Sequence, residues 1–141
     1  MQTFSLTTKP FLIVVAPYYE AISEMLTAGA AEALATAGFI SEMITVPGAL
    51  EIPAAINLAI KSNRYAGFVA LGCVLRGETS HYDIVINESA RGLQQLALDS
   101  MAAIGNGILT CENEAQAIER AHPAQGNKGG EAARAAIRMV Q

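Results

Sequence analysis

The sequence has no tryptophan, two cysteines, two histidines and charged side chains at only 16% of its 141 positions. Each scarcity excludes something. Cys73 and Cys111 stand far apart without C-x-x-C or paired Cys/His spacing. Neither a disulfide framework nor a zinc site fits them, and both read as small buried residues in a reducing compartment. Nine basic residues against thirteen acidic ones leave a net charge of −4 with no basic block. Nucleic acid and membrane surfaces are therefore excluded as partners. No apolar stretch reaches bilayer length. The amino terminus lacks the charged region and small-residue cleavage site of a signal peptide, so a soluble, cytoplasmic protein is expected. Gly105-Asn106-Gly107 begins a G-x-G but lacks its third glycine, and no Walker A pattern is present. Where a receiver domain would carry its phospho-acceptor aspartate, the chain has Cys73-Val74-Leu75-Arg76. No metal or cofactor is expected.

What is there is apolar. Hydrophobic residues make up 52% of the chain, enough for one sizeable core, so residues 1–141 read as one domain. Low charge and many alanines point to a partly apolar surface that an oligomer would cover. Residues 1–9 read as a flexible or edge segment. Four short apolar runs, 11–16, 40–46, 67–74 and 103–110, predict strands. Helical spacing predicts helices over 20–37, 50–61, 80–100, 114–121 and 127–141, with Pro53 in a first turn and Gly38 as a stop. Gly29 inside the first helix is unfavourable by about 1 kcal/mol relative to alanine. The βαβαβαβαα alternation predicts an α/β fold with a parallel sheet covered by helices on both faces. The strand carboxyl ends then share one edge, which collects residues 17–19, 47–51, 74–81 and 110–113.

That edge holds the residues able to carry chemistry. Ser80 and Asp83 stand in a capping-box relation, which puts His81 in a helix's first turn. There the positive helix end disfavours the charged imidazole, suiting it to proton transfer, or it is a surface histidine beside a cap. Arg76 and Arg120 are phosphate candidates because a guanidinium fork matches phosphate oxygens. The alternatives are an ion pair for Arg76, and a Gln116 pair or a solvated helix end for Arg120. Lys128, beside two glycines, has the same ambiguity. Tyr18-Tyr19 could stack a flat heterocycle or pack a neighbouring subunit. Glu51 could be a cap or could accept hydrogen bonds from polyol hydroxyls.

Four segments carry a resemblance: VPGALEIP (46–53), GCVLRGETSHYDIV (72–85), GNGILTCENEAQAIERA (105–121) and NKGGEAARAA (127–136). In this order they resemble the 6,7-dimethyl-8-ribityllumazine synthase family, over residues 11–139. GETSH and IGNGILT are similar to alphaproteobacterial members. The resemblance implies a three-layer αβα sandwich with a four-stranded parallel sheet in flavodoxin-like order. It also implies the penultimate step of riboflavin synthesis. In that step 5-amino-6-(D-ribitylamino)uracil condenses with 3,4-dihydroxy-2-butanone 4-phosphate, releasing inorganic phosphate and water. By resemblance Tyr18 stacks the uracil ring, Ala49, Leu50 and Glu51 hold the ribityl chain and ring, and Cys73, Val74 and Leu75 line the pyrimidine. Glu78, Thr79 and Arg120 grip the phosphate, Lys128 lies on the phosphate side, and His81 transfers protons. Asn106 matches a pocket position of the adjacent subunit, which would also supply Arg120. Arg76 then yields its phosphate role to Arg120. A homopentamer, open to higher assembly, is implied, with riboflavin synthase as a candidate partner. The chain departs from the family's frequent Arg-Phe-Asn or Arg-Trp-His by having Pro17-Tyr18-Tyr19. The competing reading is a flavin- or lumazine-binding or shell-forming protein on the same scaffold.

Overall fold

The computed structural model describes residues 9–77 and 80–141. Four strands, β1 (Phe11–Val15), β2 (Ser41–Thr45), β3 (Gly67–Leu75) and β4 (Ile104–Cys111), form one all-parallel sheet in the order β2-β1-β3-β4. Five helices connect and follow them: α1 (Glu20–Thr36), α2 (Ile52–Ile60), α3 (His81–Ser100), α4 (Glu114–Ala121) and α5 (Lys128–Val140). The fold is the expected α/β sandwich in flavodoxin-like order.

The two central strands are apolar without alternation because both their faces are covered. Strand geometry turns successive side chains to opposite faces, and the core divides accordingly. Phe11, Ile13, Val15, Val69 and Leu71 pack under α1, α4 and α5 with Ile22, Leu26, Leu34, Ala121 and Ala133. Leu12, Val14, Phe68 and Ala70 pack under α2 and α3 with Ile52, Ile56, Val85 and Leu93. Burying a leucine such as Leu26 or Leu34 completely contributes about 1.5–3 kcal/mol.

The element order agrees with the reading of the sequence, and the ends shift by a residue or two. The helix expected over 50–61 begins as a 3-10 turn, Ala49–Glu51, and becomes α-helical from Ile52, with Pro53 in its first turn. Gly105 and Gly107, expected to open the fourth strand, lie inside β4. Their reason is contact with α5, since a Cβ on Gly105 would stand 1.9 Å from the Ala132 carbonyl oxygen. Gly29 has a similar explanation, because its Cβ would meet the Asn127 side chain at 2.3 Å. The edge strand β2 leaves Met43 and Ile44 exposed, and Leu98 and Met101 are exposed at the end of α3.

Candidate active site

In an open parallel sheet a crevice forms where neighbouring strands send their connections to opposite sides. Here that point lies between β1 and β3. The β1–β3 ladder ends at Val15 paired with Leu71, and one last bond runs from Ala16 N to Leu71 O at 3.0 Å. β3 continues to Leu75, paired with β4 only. Its overhang, residues 72–75, therefore has no strand neighbour on the β1 side among the described residues. Pro17, which has no N–H to donate, ends β1 and turns the chain away.

A cleft of about 340 Å³ fills this gap. Tyr18 and Tyr19 after β1, Pro47, Gly48 and Ala49 after β2, and Cys73, Val74 and Leu75 of the overhang line it. His81, the first residue of α3, closes the far wall together with Val85 one turn later. Of the residues singled out in the sequence, the cleft thus brings together Tyr18, Ala49, Cys73, Val74, Leu75 and His81. Tyr19, Pro47 and Gly48 share turns with them, and that adjacency was the signal for including them. Val85 was legible from its four-residue spacing to His81.

Leu50 and Glu51 continue the turn from Ala49 and are exposed. Glu51 stands at the N-cap of α2 but makes no side-chain cap hydrogen bond. Its carboxylate folds back instead, with Oε1 3.1 Å from where a Cβ on Gly48 would be. Gly48 lines the cleft, so this carboxylate lies at its border. Glu78 and Thr79 lie outside the described residues.

Asn106, Arg120 and Lys128 do not line the cleft. Asn106 projects from the exposed face of the edge strand β4, its Oδ1 accepting from Ile108 N at 2.9 Å. Arg120 ends α4, a helix capped by Asn113, whose Oδ1 accepts from Gln116 N at 2.9 Å. Its Nη1 donates to Cys111 Sγ at 3.3 Å, and the residue is exposed in the last turn of α4, as the solvated-end reading had it. Lys128 Nζ pairs with Glu131 at 2.9 Å and holds that carboxyl below its usual range.

Arg76 is corrected from phosphate candidate to ion-pair partner. Its Nε donates to both Glu112 carboxylate oxygens at 3.1 Å, and Asp83 lies 4.0 Å from its Nη1. The guanidinium also lies 4.4 Å over the centre of the Tyr82 ring. These contacts commit the guanidinium's Nε–H and part of its charge to Glu112 and Asp83. The capping box is corrected with it: Ser80 makes no side-chain cap bond, and Asp83 faces Arg76.

Burial, with smaller effects from Cys111 and Glu114, pushes the Cys73 thiol up to about 12. A thiol so poorly ionised is a wall, not a nucleophile. The cleft therefore offers a flat aromatic face, uncommitted backbone, one imidazole and a bordering carboxylate. That set can bind a planar polar ring and move protons. Three larger hollows carry no such set. One of about 500 Å³ lies at the amino edge of the sheet, beside Ala66 and Ala103, one of about 430 Å³ lies between α1 and α5, and another of about 430 Å³ lies between α1 and β2, with no aromatic ring or imidazole in its lining. Volume alone would favour them, but the strand carboxyl edge is where the chemistry converges.

Residues 8–141 match the protein family described as 6,7-dimethyl-8-ribityllumazine synthase. Curated relatives bearing that name come from several bacteria. The one from Novosphingobium aromaticivorans is 59% identical over 130 residues, covering 92% of this chain and 93% of its own. The one from Erythrobacter litoralis is 56% identical over 131 residues, 93% of each chain. The one from Zymomonas mobilis is 59% identical over 129 residues, 92% of each. No helix among the described residues is long and apolar enough to cross a membrane.

Proposed function

The chain belongs to the 6,7-dimethyl-8-ribityllumazine synthase family, and from that premise we propose that the cleft at the β1–β3 gap is where its condensation takes place. The enzyme joins 5-amino-6-(D-ribitylamino)uracil to 3,4-dihydroxy-2-butanone 4-phosphate and releases 6,7-dimethyl-8-ribityllumazine, phosphate and water. The observation that carries the assignment is the meeting of Tyr18, the β3 overhang and His81 in one cleft.

The uracil ring stacks on Tyr18 and lies along the overhang, where the backbone of Cys73, Val74 and Leu75 meets its polar edge. Ala49 and Leu50 contact the ring and the start of the ribityl chain, and Glu51 at the border accepts from ribityl hydroxyls. The 5-amino group attacks the ketone carbon, and the carbinolamine loses water to give an imine. Loss of a carbon-bound proton and of phosphate leaves an enol. The enol tautomerises, the ribitylamino nitrogen closes the ring on the new carbonyl, and a second water departs. The substrate supplies the nucleophile, so the protein's main contribution is to hold two reactants in reacting geometry. His81 takes and returns the protons of the imine and elimination steps, a contribution of about 10²–10⁴-fold.

The phosphate falls to Glu78, Thr79 and Arg120, with Lys128 nearby. Asn106, Arg120 and Lys128 stand away from this chain's own cleft, which supports their service to the cleft of an adjacent copy. The assembly is a homo-oligomer, a pentamer in this reading. The exposed apolar side chains on β2 and at the end of α3 are consistent with surfaces covered in it. The enzyme acts in the cytoplasm.

Mixing the protein with both substrates should generate lumazine fluorescence and free phosphate in equal amounts. Tight flavin binding without turnover would overturn the synthase reading. Co-expression of His81→Ala with Arg120→Ala tests the shared site. Random mixing in a ring rebuilds about a quarter of the sites and raises activity above either parent. Activity no higher than the mean of the parents would place both residues in one chain's site.

A further inference from the structure

Tyr19 is the cleft residue whose presence its local backbone does not explain. It occupies the N-cap of α1, at φ −104° and ψ 99°, and makes no side-chain cap hydrogen bond. Serine, threonine, asparagine or aspartate is favoured there, because their oxygens accept from the unpaired N–H groups of the first turn. A phenol ring cannot reach back in that way, so the 17-residue helix starts without this support. The ring goes elsewhere. It is half-buried, packs against the core on the α1 side of the sheet and lines the cleft. Its hydroxyl makes no hydrogen bond among the described residues. Burial, followed by the nearby Cys73, Tyr18 and Glu114, raises the phenol above its usual value.

Its other neighbour is Tyr18. The two rings meet edge to face, with centroids 4.9 Å apart and planes 83° apart. Tyr18 is 77% exposed, on the short turn between Pro17 and α1, and this is its one ring contact among the described residues. An exposed ring on such a turn has several rotamers, and binding must select one, which weakens any stacking contact it makes. A neighbour wedged between core and cleft removes that freedom beforehand.

We propose that Tyr19 is a positioning residue: its core-anchored ring holds Tyr18 with one face turned to the flat heterocycle of the substrate. The proposal rests on the reading of Tyr18 as the stacking residue. It makes α1 give up its cap for substrate affinity, and that exchange makes it testable, because a merely structural role for Tyr19 would not move stability and affinity in opposite directions.

The test compares Tyr19→Leu, Tyr19→Phe, Tyr19→Asn, Tyr18→Leu and the Tyr18→Leu/Tyr19→Leu pair. The readouts are the two substrates' KM values, kcat and Tm. Tyr19→Leu should raise the KM of the ribitylaminouracil roughly three- to tenfold, the range of an aromatic pair. The KM of the phosphosugar and kcat should stay within about twofold, since the contact orders only the ring site. Tyr19→Phe should behave as the parent, because the ring and not the hydroxyl is used. Tyr19→Asn should raise Tm by restoring a cap while weakening pyrimidine binding as much as Tyr19→Leu does. In the Tyr18→Leu background, Tyr19→Leu should add nothing. If Tyr18→Leu raises the pyrimidine KM and Tyr19→Leu leaves it unchanged, positioning is refuted while stacking stands. An unchanged KM in Tyr18→Leu removes the stacking reading itself. Equal losses in Tyr19→Phe and Tyr19→Leu would assign the effect to the hydroxyl and overturn the proposal.

Discussion

The contact between β4 and α5 can be tested at Gly105, because its geometry leaves little room for compensation. An added methyl group would sit 1.9 Å from the Ala132 carbonyl oxygen, 2.7 Å from its carbon and 3.4 Å from its Cα. Ordinary contact begins near 3.4 Å, so α5 must retreat by roughly 1.5 Å or the sheet must bend. The obstacle is backbone, so no side-chain rotation relieves it. Retreat is blocked behind, since Gly129 of α5 already lies so close to α1 that a Cβ there would be 2.0 Å from the Leu26 carbonyl oxygen. It would also open the packing of the fully buried Ala133 and Ala136. Overpacking usually costs about 1–3 kcal/mol, and a clash with backbone held on both sides belongs at or above the top of that range. In a chain of this size Gly105→Ala should therefore lower Tm by roughly 10 °C, at fixed protein concentration. Gly107→Ala is the internal comparison. Its nearest neighbour is a side-chain tip, Leu71 Cδ2 at 2.7 Å, with Ala132 Cβ at 3.1 Å and the Ala70 carbonyl oxygen at 3.2 Å, a milder clash than 1.9 Å from backbone, so the loss should be smaller than for Gly105→Ala. Gly77→Ala, with nothing among the described residues within 4 Å, should melt within about 1 °C of the parent. Differential scanning calorimetry of the three variants decides the matter. A Gly105→Ala protein as stable as the parent, or a Gly107→Ala protein less stable than Gly105→Ala, would refute the wedge.

His81→Ala should lower kcat by about 10²–10⁴-fold and leave measurable turnover, because proximity does not depend on it; loss of all turnover in a folded variant that still binds the pyrimidine would contradict that division. Arg120→Ala should raise the phosphosugar KM at least tenfold with the pyrimidine KM unchanged, and an unaltered phosphosugar KM would remove Arg120 from the site. Cys73, held at about 12 against an ordinary 9.0, should react with iodoacetamide at pH 8 roughly a thousandfold more slowly than a free thiol. Since the folded value is the raised one, its contribution to stability is complete below pH 9 and is lost as pH climbs through about 12. Mass spectrometry that finds Cys73 alkylated as fast as glutathione would refute the burial argument.

Much of this site could be read before any coordinates, and the parts that could not share one physical cause. β1 and β3 are unbroken apolar runs bounded by Pro17 and by Arg76-Gly77, so their type and direction follow from local signals alone. Tyr18, residues 73–75 and His81 then fall at strand carboxyl ends, where a parallel sheet collects its ligands. The residues alone left Arg76 open between phosphate and ion pair, because a guanidinium beside glycine and hydroxyls looks the same whether its partner is a phosphate or Glu112, which is 36 residues away and reaches it only through β3–β4 pairing. Gly105 and Gly107 read as the opening of the fourth strand because close approach to Ala132 is likewise non-local. For Asn106, Arg120 and Lys128 the residue types were legible as chemistry, while their place off this chain's own cleft follows from β4, α4 and α5 packing that no local pattern encodes.

The decisive feature is a difference of strand length. β1 stops at five residues and β3 runs for nine. Because β4 remains paired to the overhang as far as Cys111, residues 72–75 keep their strand geometry beyond the end of β1. Its backbone groups face an opening where β1 would sit if it continued. A planar ligand with alternating donors and acceptors can fill that opening much as a strand would, while the turns carrying Tyr18, Ala49 and His81 set its depth and tilt. Lengthening β1 by replacing Pro17 with a residue that has an N–H would let the ladder extend toward Cys73. The cleft would then close from the floor, with its lining residues intact.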